Sequence, residues 1–286
     1  MTTRMRILLL ALVVAAFLVG CKKAPAPTSE VVAFRVANLP TGPTDDAWKK
    51  VPEHVAKLIP QDLVEPRLMK PSTPEVHVQA VTNGSEIVFR LSWADAEKND
   101  LPGAGRFTDA CAVQIPRKLE PQPPAPQMGE AGRLVDITFW RADWQAYVNG
   151  RGDTIRDLYP NASIDHYPFE AASLPPGSTE QKEMATRYAP AQALANRRSG
   201  PRQSPVESLV AEGPGTLGPG VPNGDRGQGV RTENGWAVLI ARRLPDGLAP
   251  RVRTQIAFAV WDGSQQETGS RKMRTGWIPL SIREGQ

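Results

Sequence analysis

The clearest hydrophobic pattern in the chain lies at residues 75–93. Apolar and polar residues alternate over residues 75–81 and again over residues 86–93, and the dipeptide Asn83-Gly84 stands between the two runs. Alternation with a period of two is typical of half-buried strands, and Asn-Gly is the preferred sequence of a two-residue hairpin turn. The pattern therefore predicts a β-hairpin.

Further runs of the same length predict five more strands, and helical periodicity is sparse. A single turn, N-capped by Asp45, is predicted over residues 45–51. Short strands separated by turn residues favour an all-β fold, an antiparallel β-sandwich. The five additional strands are predicted at residues 110–115, 134–140, 235–243, 255–261 and 275–282.

Glycine and proline interrupt the chain often, with 24 and 28 of the 286 residues. Both shares exceed the usual frequencies of about 7% and 5%. Residues 117–127 are rich in proline, and residues 150–232 show no sustained periodicity. We therefore expect the sandwich to carry long loop insertions, the largest at residues 150–232.

The N-terminus has the pattern of an export signal. Arg4 and Arg6 precede a short apolar run that ends in Leu18-Val19-Gly20-Cys21, which resembles a bacterial lipobox with Cys21 as the lipidated residue. The run is too short to span a bilayer comfortably. We predict a signal peptide at residues 1–20, a flexible tether at 21–39 and one domain at 40–286, on the periplasmic side of a Gram-negative membrane. An ordinary secretory signal with a chance cysteine is the alternative.

Composition excludes several functional classes. The net charge of +4 is scattered, so nucleic-acid binding has little support. Two cysteines cannot form a disulfide scaffold, a protein-bound iron–sulfur cluster or a four-cysteine zinc site. Cys111 lies in an apolar stretch and is predicted to be a buried structural thiol. The three histidines have no metal-ligand spacing, and no common catalytic motif is present.

Seven tryptophans form a large share of the aromatic residues. Trp93, Trp140, Trp261 and Trp277 fall near the ends of predicted strands. Base rates favour a place in the sandwich core, and the alternative is the rim of a pocket for a flat ligand such as a sugar or a porphyrin.

An ordered set of segments carries a resemblance to a known family. It comprises residues 109–116, 128–130 (Met-Gly-Glu), 135–143, 157–161, 211–216 and 258–263, followed by Lys272 and, five residues later, Trp277. In this order the chain resembles the haem b-binding gamma subunit of ethylbenzene dehydrogenase. Its relatives serve dimethylsulfide dehydrogenase, selenate reductase and chlorate reductase, in the type II branch of the dimethyl sulfoxide reductase family. The resemblance covers about residues 40–282.

The resemblance implies a sandwich similar to a carbohydrate-binding module that holds one haem b without covalent attachment. Met128 and Lys272 match the two axial ligands of the iron, although Met273 adjoins Lys272 and is an alternative. Arg271, Arg274 and Arg141 are candidates to bind the haem propionates, by closeness in sequence only. Lysine ligates only as the neutral amine, a form that an apolar pocket favours.

The resemblance also implies a role. The subunit would not be catalytic alone, because both axial positions are filled by side chains. It would pass electrons between a molybdopterin catalytic subunit with its Fe–S subunit and a soluble cytochrome or quinone-linked carrier. The lipobox departs from the better-known relatives, which are soluble, and implies membrane attachment through a lipid anchor. The alternatives are a lipid-anchored carbohydrate-binding β-sandwich module without haem and a structural lipoprotein.

Overall fold

The computed structural model describes residues 29–152, 155–162, 174–188, 190–196, 198 and 202–284. The predicted signal peptide, Cys21 and His166 lie outside these residues. Strands dominate the described part, and its helices are short. Among the described residues, no helix is both long and apolar enough to cross a membrane.

Fourteen strands and four α-helices are present in the described ranges. The strands are β1 Val31–Arg35, β2 His54–Lys57, β3 Ile59–Pro60, β4 Glu75–Thr82, β5 Glu86–Ala94, β6 Ala110–Pro116, β7 Val135–Arg141, β8 Val206–Ala211, β9 Gly218–Pro219, β10 Arg226–Arg231, β11 Gly235–Arg243, β12 Arg253–Trp261, β13 Met273–Arg274 and β14 Ile278–Arg283. The helices are α1 Ala142–Val148, α2 Ile155–Leu158, α3 Thr179–Tyr188 and α4 Pro190–Ala193. A 3-10 turn at Asp46–Lys50 is capped by Asp45, as predicted.

The strands run in one continuous hydrogen-bonded order that folds into two layers. The first layer has the order β10-β11-β5-β4-β1-β14, and the second has the order β12-β6-β7-β8-β9. β12 joins the layers, because its residues 253–256 pair with β14 and its residues 257–261 pair with β6. The predicted hairpin is confirmed as β4 and β5, paired antiparallel.

The main hydrophobic core lies between the two layers. Leu91 of β5 and Val238 of β11 pack in one cluster with Val113 of β6 and Phe258 of β12. Alternate residues of β6 and β12 point away from this core, because successive side chains of a strand face opposite sides. A two-layer packing of sheets with a shared interior is a β-sandwich, so the predicted fold class is confirmed. Trp93, Trp140 and Trp236 pack edge to face within this core.

Two details of the architecture differ from the prediction. β1 runs parallel to both of its neighbours, β4 and β14, so the sheet is mixed at that point. The predicted boundary at residue 40 is too late, because Val31 and Ala33 of β1 are buried in the core. A five-residue strand placed in the middle of a sheet is too short to show a clear alternation in sequence.

Residues 150–232 are more than an insertion. β8 pairs with β7, and β10 forms the edge of the first layer beside β11. β10 contains Gly227 and Gly229, and an added Cβ at Gly229 would lie 2.1 Å from the Trp140 ring. The Trp140 ring approaches so closely that only glycine fits at this position. Because glycine has no side chain, β10 lacks the apolar alternation by which a strand is recognised in sequence.

Candidate functional site

A cavity of about 530 Å³ lies on the outer face of the second layer. Its volume is in the range of small-molecule and cofactor sites. Ala110 and Ala112 of β6 and Ala257 and Ala259 of β12 line it. These positions alternate with the core-facing residues of the same strands, and their small side chains leave a shallow floor on which a flat ligand has room.

Met128 enters the cavity from the loop that follows the proline-rich segment. Its φ of 68° lies in the left-handed region, which is uncommon for a residue with a Cβ. The next residue is Gly129, where an added Cβ would meet the Arg133 carbonyl oxygen at 2.8 Å. The turn is held because Gly213 N–H donates to the Met128 carbonyl at 2.8 Å. The Met-Gly-Glu segment and the 211–216 segment, which both carried the resemblance, are therefore in contact.

Two side chains fix the proline-rich loop that leads to Met128. Gln114 of β6 donates from Nε2 to the Pro126 carbonyl at 3.0 Å. Trp277 donates from Nε1 to the Pro124 carbonyl at 2.6 Å. Trp277 therefore positions the loop and also packs against the cluster that includes Met128.

Lys272 enters the same cavity, just before β13. Its carbonyl accepts from Gln61 N–H at 2.9 Å, and its Nζ lies 5.1 Å from the centre of the Trp261 ring. Burial is the main cause that lowers the pKa of the Lys272 ammonium to about 8, and the nearby Arg274 adds to it. An amine in this environment gives up its proton far more readily than an exposed lysine.

The structure brings the two predicted site residues together across 144 positions of sequence. Met128 Sδ and Lys272 Nζ are 4.0 Å apart, and both atoms belong to residues that line the cavity. Met273, the alternative ligand, points in the opposite direction and is fully buried in the inter-layer core. Lys272, just before β13, and Arg274 line the cavity, whereas Met273 between them faces the inter-layer core, a choice that the sequence left open.

The three arginines suggested by sequence have different environments. Arg274 lines the cavity and is buried, and its Nε has no hydrogen-bond partner. Arg141 also lines the cavity but is engaged by Asp143 with two contacts of 2.9 Å. Arg271 does not line the cavity, and its Nη2 donates to the Gln266 carbonyl at 2.7 Å.

Sequence reasoning missed part of the cavity wall. Gln61 and Val64 come from the segment after β3, Arg106 precedes β6 and Arg198 precedes β8. The sequence feature that could have indicated the cavity is the set of alanines at alternate positions of β6 and β12, which form its floor. His54 and His77 do not line the cavity, and Cys111 is buried in the core as predicted, where burial raises the pKa of its thiol.

Ala112→Phe tests whether the alanine floor is the ligand-binding surface. An aromatic ring at this position would occupy the cavity, so we expect the variant to fold but to retain much less of any pigment that co-purifies with the wild type. The pigment-to-protein absorbance ratio and the far-ultraviolet circular dichroism spectrum measure the two effects. Ala249→Phe, at an exposed position away from the cavity, is the matched control. A normal cofactor content in Ala112→Phe would contradict this placement.

Comparison with solved structures finds family 9 carbohydrate-binding modules. Two crystal structures of such a module from Caldicellulosiruptor kristjanssonii, in complex with cellotriose and with glucose, match with TM-scores of 0.44 and 0.43 at 8% and 7% identity. Each alignment covers 90% of this chain, and 94% and 96% of the respective module.

Comparison with curated proteins finds two subunits of reductases. The putative respiratory nitrate reductase heme subunit ORF7 of Haloferax mediterranei is 26% identical over 91% of this chain and 75% of its own length. The chlorate reductase subunit gamma of Ideonella dechloratans is 26% identical over 71% of this chain and 63% of its own length. This second alignment thus leaves more than a third of the chlorate reductase subunit unmatched.

The sequence model of one protein family matches most of the chain. It is described as ethylbenzene dehydrogenase and matches residues 45–273. The matched range includes both Met128 and Lys272 and nearly every strand that lines the cavity. The resemblance read from the ordered segments is thereby confirmed, and the chain belongs to the ethylbenzene dehydrogenase family.

Proposed function

We propose that this protein is a haem b-binding electron-transfer subunit of an exported molybdopterin oxidoreductase, with Met128 and Lys272 as the axial ligands of the iron. The observation that carries the proposal is the 4.0 Å separation of Met128 Sδ and Lys272 Nζ inside one cavity. The names of the two relatives, a heme subunit of a nitrate reductase and a gamma subunit of a chlorate reductase, support it.

The separation of the two atoms fits a metal ion between them. First-row metals such as zinc form bonds of about 2.3 Å to sulfur and 2.0–2.1 Å to nitrogen. Two such ligands on opposite sides of one ion stand about 4.3 Å apart, close to the observed 4.0 Å. Without a metal ion, the contact between the thioether and the amine would contribute little stability, because a nitrogen–sulfur contact of this length is a weak hydrogen bond at most.

The unpaired guanidinium of Arg274 fits the acidic edge of a haem. A buried charge without a partner is costly, and charge-assisted hydrogen bonds to a carboxylate would offset that cost. Arg274 Nη1 has only a 3.4 Å contact with the Thr275 carbonyl, and Nε has none. A haem propionate would supply the missing acceptor, which makes Arg274 the best propionate partner among the three candidates.

The same arrangement supports electron transfer rather than catalysis by this subunit. Haem supplies a one-electron redox couple when it is bound, and two side-chain ligands leave no position on the iron for a substrate. The lowered pKa of about 8 makes the neutral form of Lys272 far more accessible than that of an exposed lysine, and a methionine ligand raises the reduction potential. The partners we propose are a molybdopterin catalytic subunit, its Fe–S subunit and a soluble cytochrome or quinone-linked carrier.

Carbohydrate binding through surface tryptophans has less support. All seven tryptophans lie among the described residues, and none of their side chains is exposed. Trp261 lines the cavity and Trp144 is buried under Arg202, whose guanidinium carbon lies 3.7 Å from its ring centre. A flat aromatic platform of the kind that sugars stack on is therefore lacking in the described part of the chain.

The decisive experiment is the absorption spectrum of the full chain expressed with adequate haem. We expect a Soret band and sharp α and β bands on reduction, typical of low-spin haem with two axial side chains, and a pyridine haemochrome spectrum of type b. A protein that takes up no haem, either in cells or on reconstitution, would contradict the proposal.

The variant Arg274→Met distinguishes between two roles of Arg274, which are binding of a haem propionate and stabilisation of the fold. Removing an unpaired buried charge should leave the haem-free protein at least as stable as the wild type, because a buried charge without a partner is destabilising. The same change should weaken haem binding by about tenfold, the value of one charge-assisted hydrogen bond. Haem titration and thermal denaturation measure the two effects. Arg271→Met should change neither, and unchanged haem affinity in Arg274→Met would exclude the role.

We also propose that Cys21 is lipidated and anchors the protein on the periplasmic side of a membrane. The support is the spacing of the apolar run and Leu18-Val19-Gly20-Cys21. Several acyl chains on one cysteine anchor stably, because each buried methylene contributes about 0.8 kcal/mol. Labelling with radioactive palmitate in a bacterial host should mark the wild type and not Cys21→Ser, and label on both proteins would overturn the assignment.

A further inference from the structure

Three aspartates converge at the end of the sandwich that adjoins the haem cavity. Asp95 follows β5, Asp109 precedes β6 and Asp262 follows β12. One carboxylate oxygen from each residue lies within 4.8 Å of the other two. Asp109 is completely buried and the Asp95 side chain is 2% exposed, so water screens little of the repulsion between these two carboxylates.

The positive charge beside the three aspartates is too small and too distant to neutralise them. Arg231 is the basic residue paired with it, and its Nη1 stands 3.7 Å from Asp95 Oδ1, beyond hydrogen-bond length. A fourth acid, Glu267, is 1% exposed and accepts from Asp262 N–H at 2.9 Å. The site therefore brings four acids together, while the ion pair between the Asp95 carboxylate and Arg231 is a long one.

Hydrogen bonds orient the carboxylates without satisfying them. Asp109 accepts from the N–H groups of Asn99 and Gly263 at 2.8 and 3.0 Å and from Trp236 Nε1 at 2.9 Å. These donors hold Asp109 in place, and one lone pair of its Oδ1 remains. Asp262 Oδ1 accepts two bonds from Ser264, of 2.9 and 2.7 Å, which leaves its other oxygen available.

Two buried oxygens at this place have no partner at all. Asp95 Oδ1 accepts from Glu97 N–H at 2.9 Å, but Asp95 Oδ2 makes no hydrogen bond although the side chain is almost fully buried. Asn99 Oδ1 is likewise buried and unpaired, and the backbone of Asn99 is bonded to Asp109. Buried acceptors without a donor cost about 1–3 kcal/mol each, and more when charged. These two unpaired oxygens are an observation separate from the closeness of the three aspartates, and they indicate that a cation belongs at this place.

We propose that Asp95, Asp109 and Asp262 bind a hard divalent cation, with Ca²⁺ as the best fit and Asn99 Oδ1 as a further oxygen ligand. Ca²⁺ takes six to eight oxygens at 2.3–2.6 Å, so its ligand oxygens lie up to about 5 Å apart. The observed limit of 4.8 Å agrees with that geometry. Waters complete the coordination.

The cation has a structural role that reaches the haem cavity. Asp262 directly follows Trp261, which lines the cavity, and begins the loop that ends at Lys272. Bound to Asp109 as well, the cation fastens this loop to the start of β6, whose alanines form the cavity floor. The ion would therefore stabilise the wall that presents Lys272, whether or not haem is the ligand of that cavity.

Calorimetric titration of the full chain with Ca²⁺, after treatment with EDTA, tests the proposal. We expect one site with a dissociation constant below about 10 µM, a value common for Ca²⁺ sites with several carboxylates. Saturating Ca²⁺ should raise Tm by at least about 3 °C over the EDTA-treated protein, because a ligand that binds only the folded state stabilises it. Absence of both heat and a Tm shift with Ca²⁺ and with Mg²⁺ would overturn it.

Two variants test whether the cation binds at this cluster of aspartates. Asp95→Asn and Asp262→Asn keep the size of the side chain and remove its charge, so each should weaken Ca²⁺ binding at least tenfold. Asp225→Asn is the matched control, because Asp225 is a half-buried aspartate that accepts from Thr138 Oγ1 at 3.2 Å, outside the cluster. If Asp95→Asn fails to fold, Asp262→Asn still tests the site, because Asp262 lies in a half-buried turn where the change is better tolerated. Wild-type affinity in the folded variants would refute the site.

Discussion

Met128→Ala is expected to lower the haem reduction potential by on the order of 100 mV and to convert the ferric spectrum from low spin to high spin. The identity of the axial ligands sets haem potentials over a range of about 0.8 V, and a thioether favours the ferrous state. Alanine cannot ligate, so the vacated position opens to water. Spectroelectrochemical titration of the purified protein measures the potential and the spin state together.

Two other methionines provide controls for this prediction. Met69 is 75% exposed, and Met69→Ala should change neither the spectrum nor the stability. Met273 is fully buried in the inter-layer core. Met273→Ala should cost about 2–5 kcal/mol of stability through the cavity it creates and leave the haem spectrum unchanged. A shifted potential in Met273→Ala with none in Met128→Ala would reverse the ligand assignment.

Lys272→Met is expected to stabilise the haem-free protein near neutral pH and to change the spectrum of the haem-loaded protein. The pKa of Lys272 is about 8 in the folded state and about 10.5 in the unfolded chain. Between these values the unfolded chain binds more protons than the folded protein, so the stability of the wild type rises with pH over this window. Below pH 8 the whole cost of the buried ammonium is present, at most about 3 kcal/mol before solvent screening is considered.

Urea denaturation at pH 7.5 and at pH 10.5 measures this effect. The haem-free Lys272→Met protein should be more stable than the wild type at pH 7.5, and the advantage should disappear toward pH 10.5. In the haem-loaded protein the same change should alter the spectrum, because a nitrogen ligand is replaced by sulfur. Lys70→Met, at an exposed position, should leave the stability at pH 7.5 unchanged. A pH-independent difference between Lys272→Met and wild type would contradict the buried-amine interpretation.

Several elements of the fold were predictable from the chain because their determinants are local. The hairpin of β4 and β5 follows from alternation around Asn83-Gly84, and the capped turn follows from Asp45 and its hydrogen bond of 3.0 Å to Ala47 N–H. The strands β6, β7, β11 and β12 are long and apolar enough to be identified. Seven strands were missed, and most of them are short or contain glycine, so that they are defined by their neighbours in the sheet. They are β1, β2, β3, β8, β9, β10 and β13.

The candidate site was only partly predictable. Met128 and Lys272 were identified through the resemblance to a family and not through any property of their own neighbourhoods. A single methionine after a proline-rich loop is usually core or surface, and a single lysine is usually solvated. The cluster of Asp95, Asp109 and Asp262 gave no signal, because its members come from three separate strand ends.

The amino-acid sequence by itself determined the all-β class, the positions of seven of the fourteen strands and the family, because alternation, turn residues and the order of segments are local properties of the chain. Only the tertiary structure decided which side chains share a space. It turned Lys272 toward the cavity and the adjoining Met273 toward the core. It also placed Met128 Sδ within 4.0 Å of Lys272 Nζ and left Arg274 Nε without a hydrogen-bond partner beside them. Contacts across more than a hundred residues depend on how the two layers pack, and no local pattern specifies that packing.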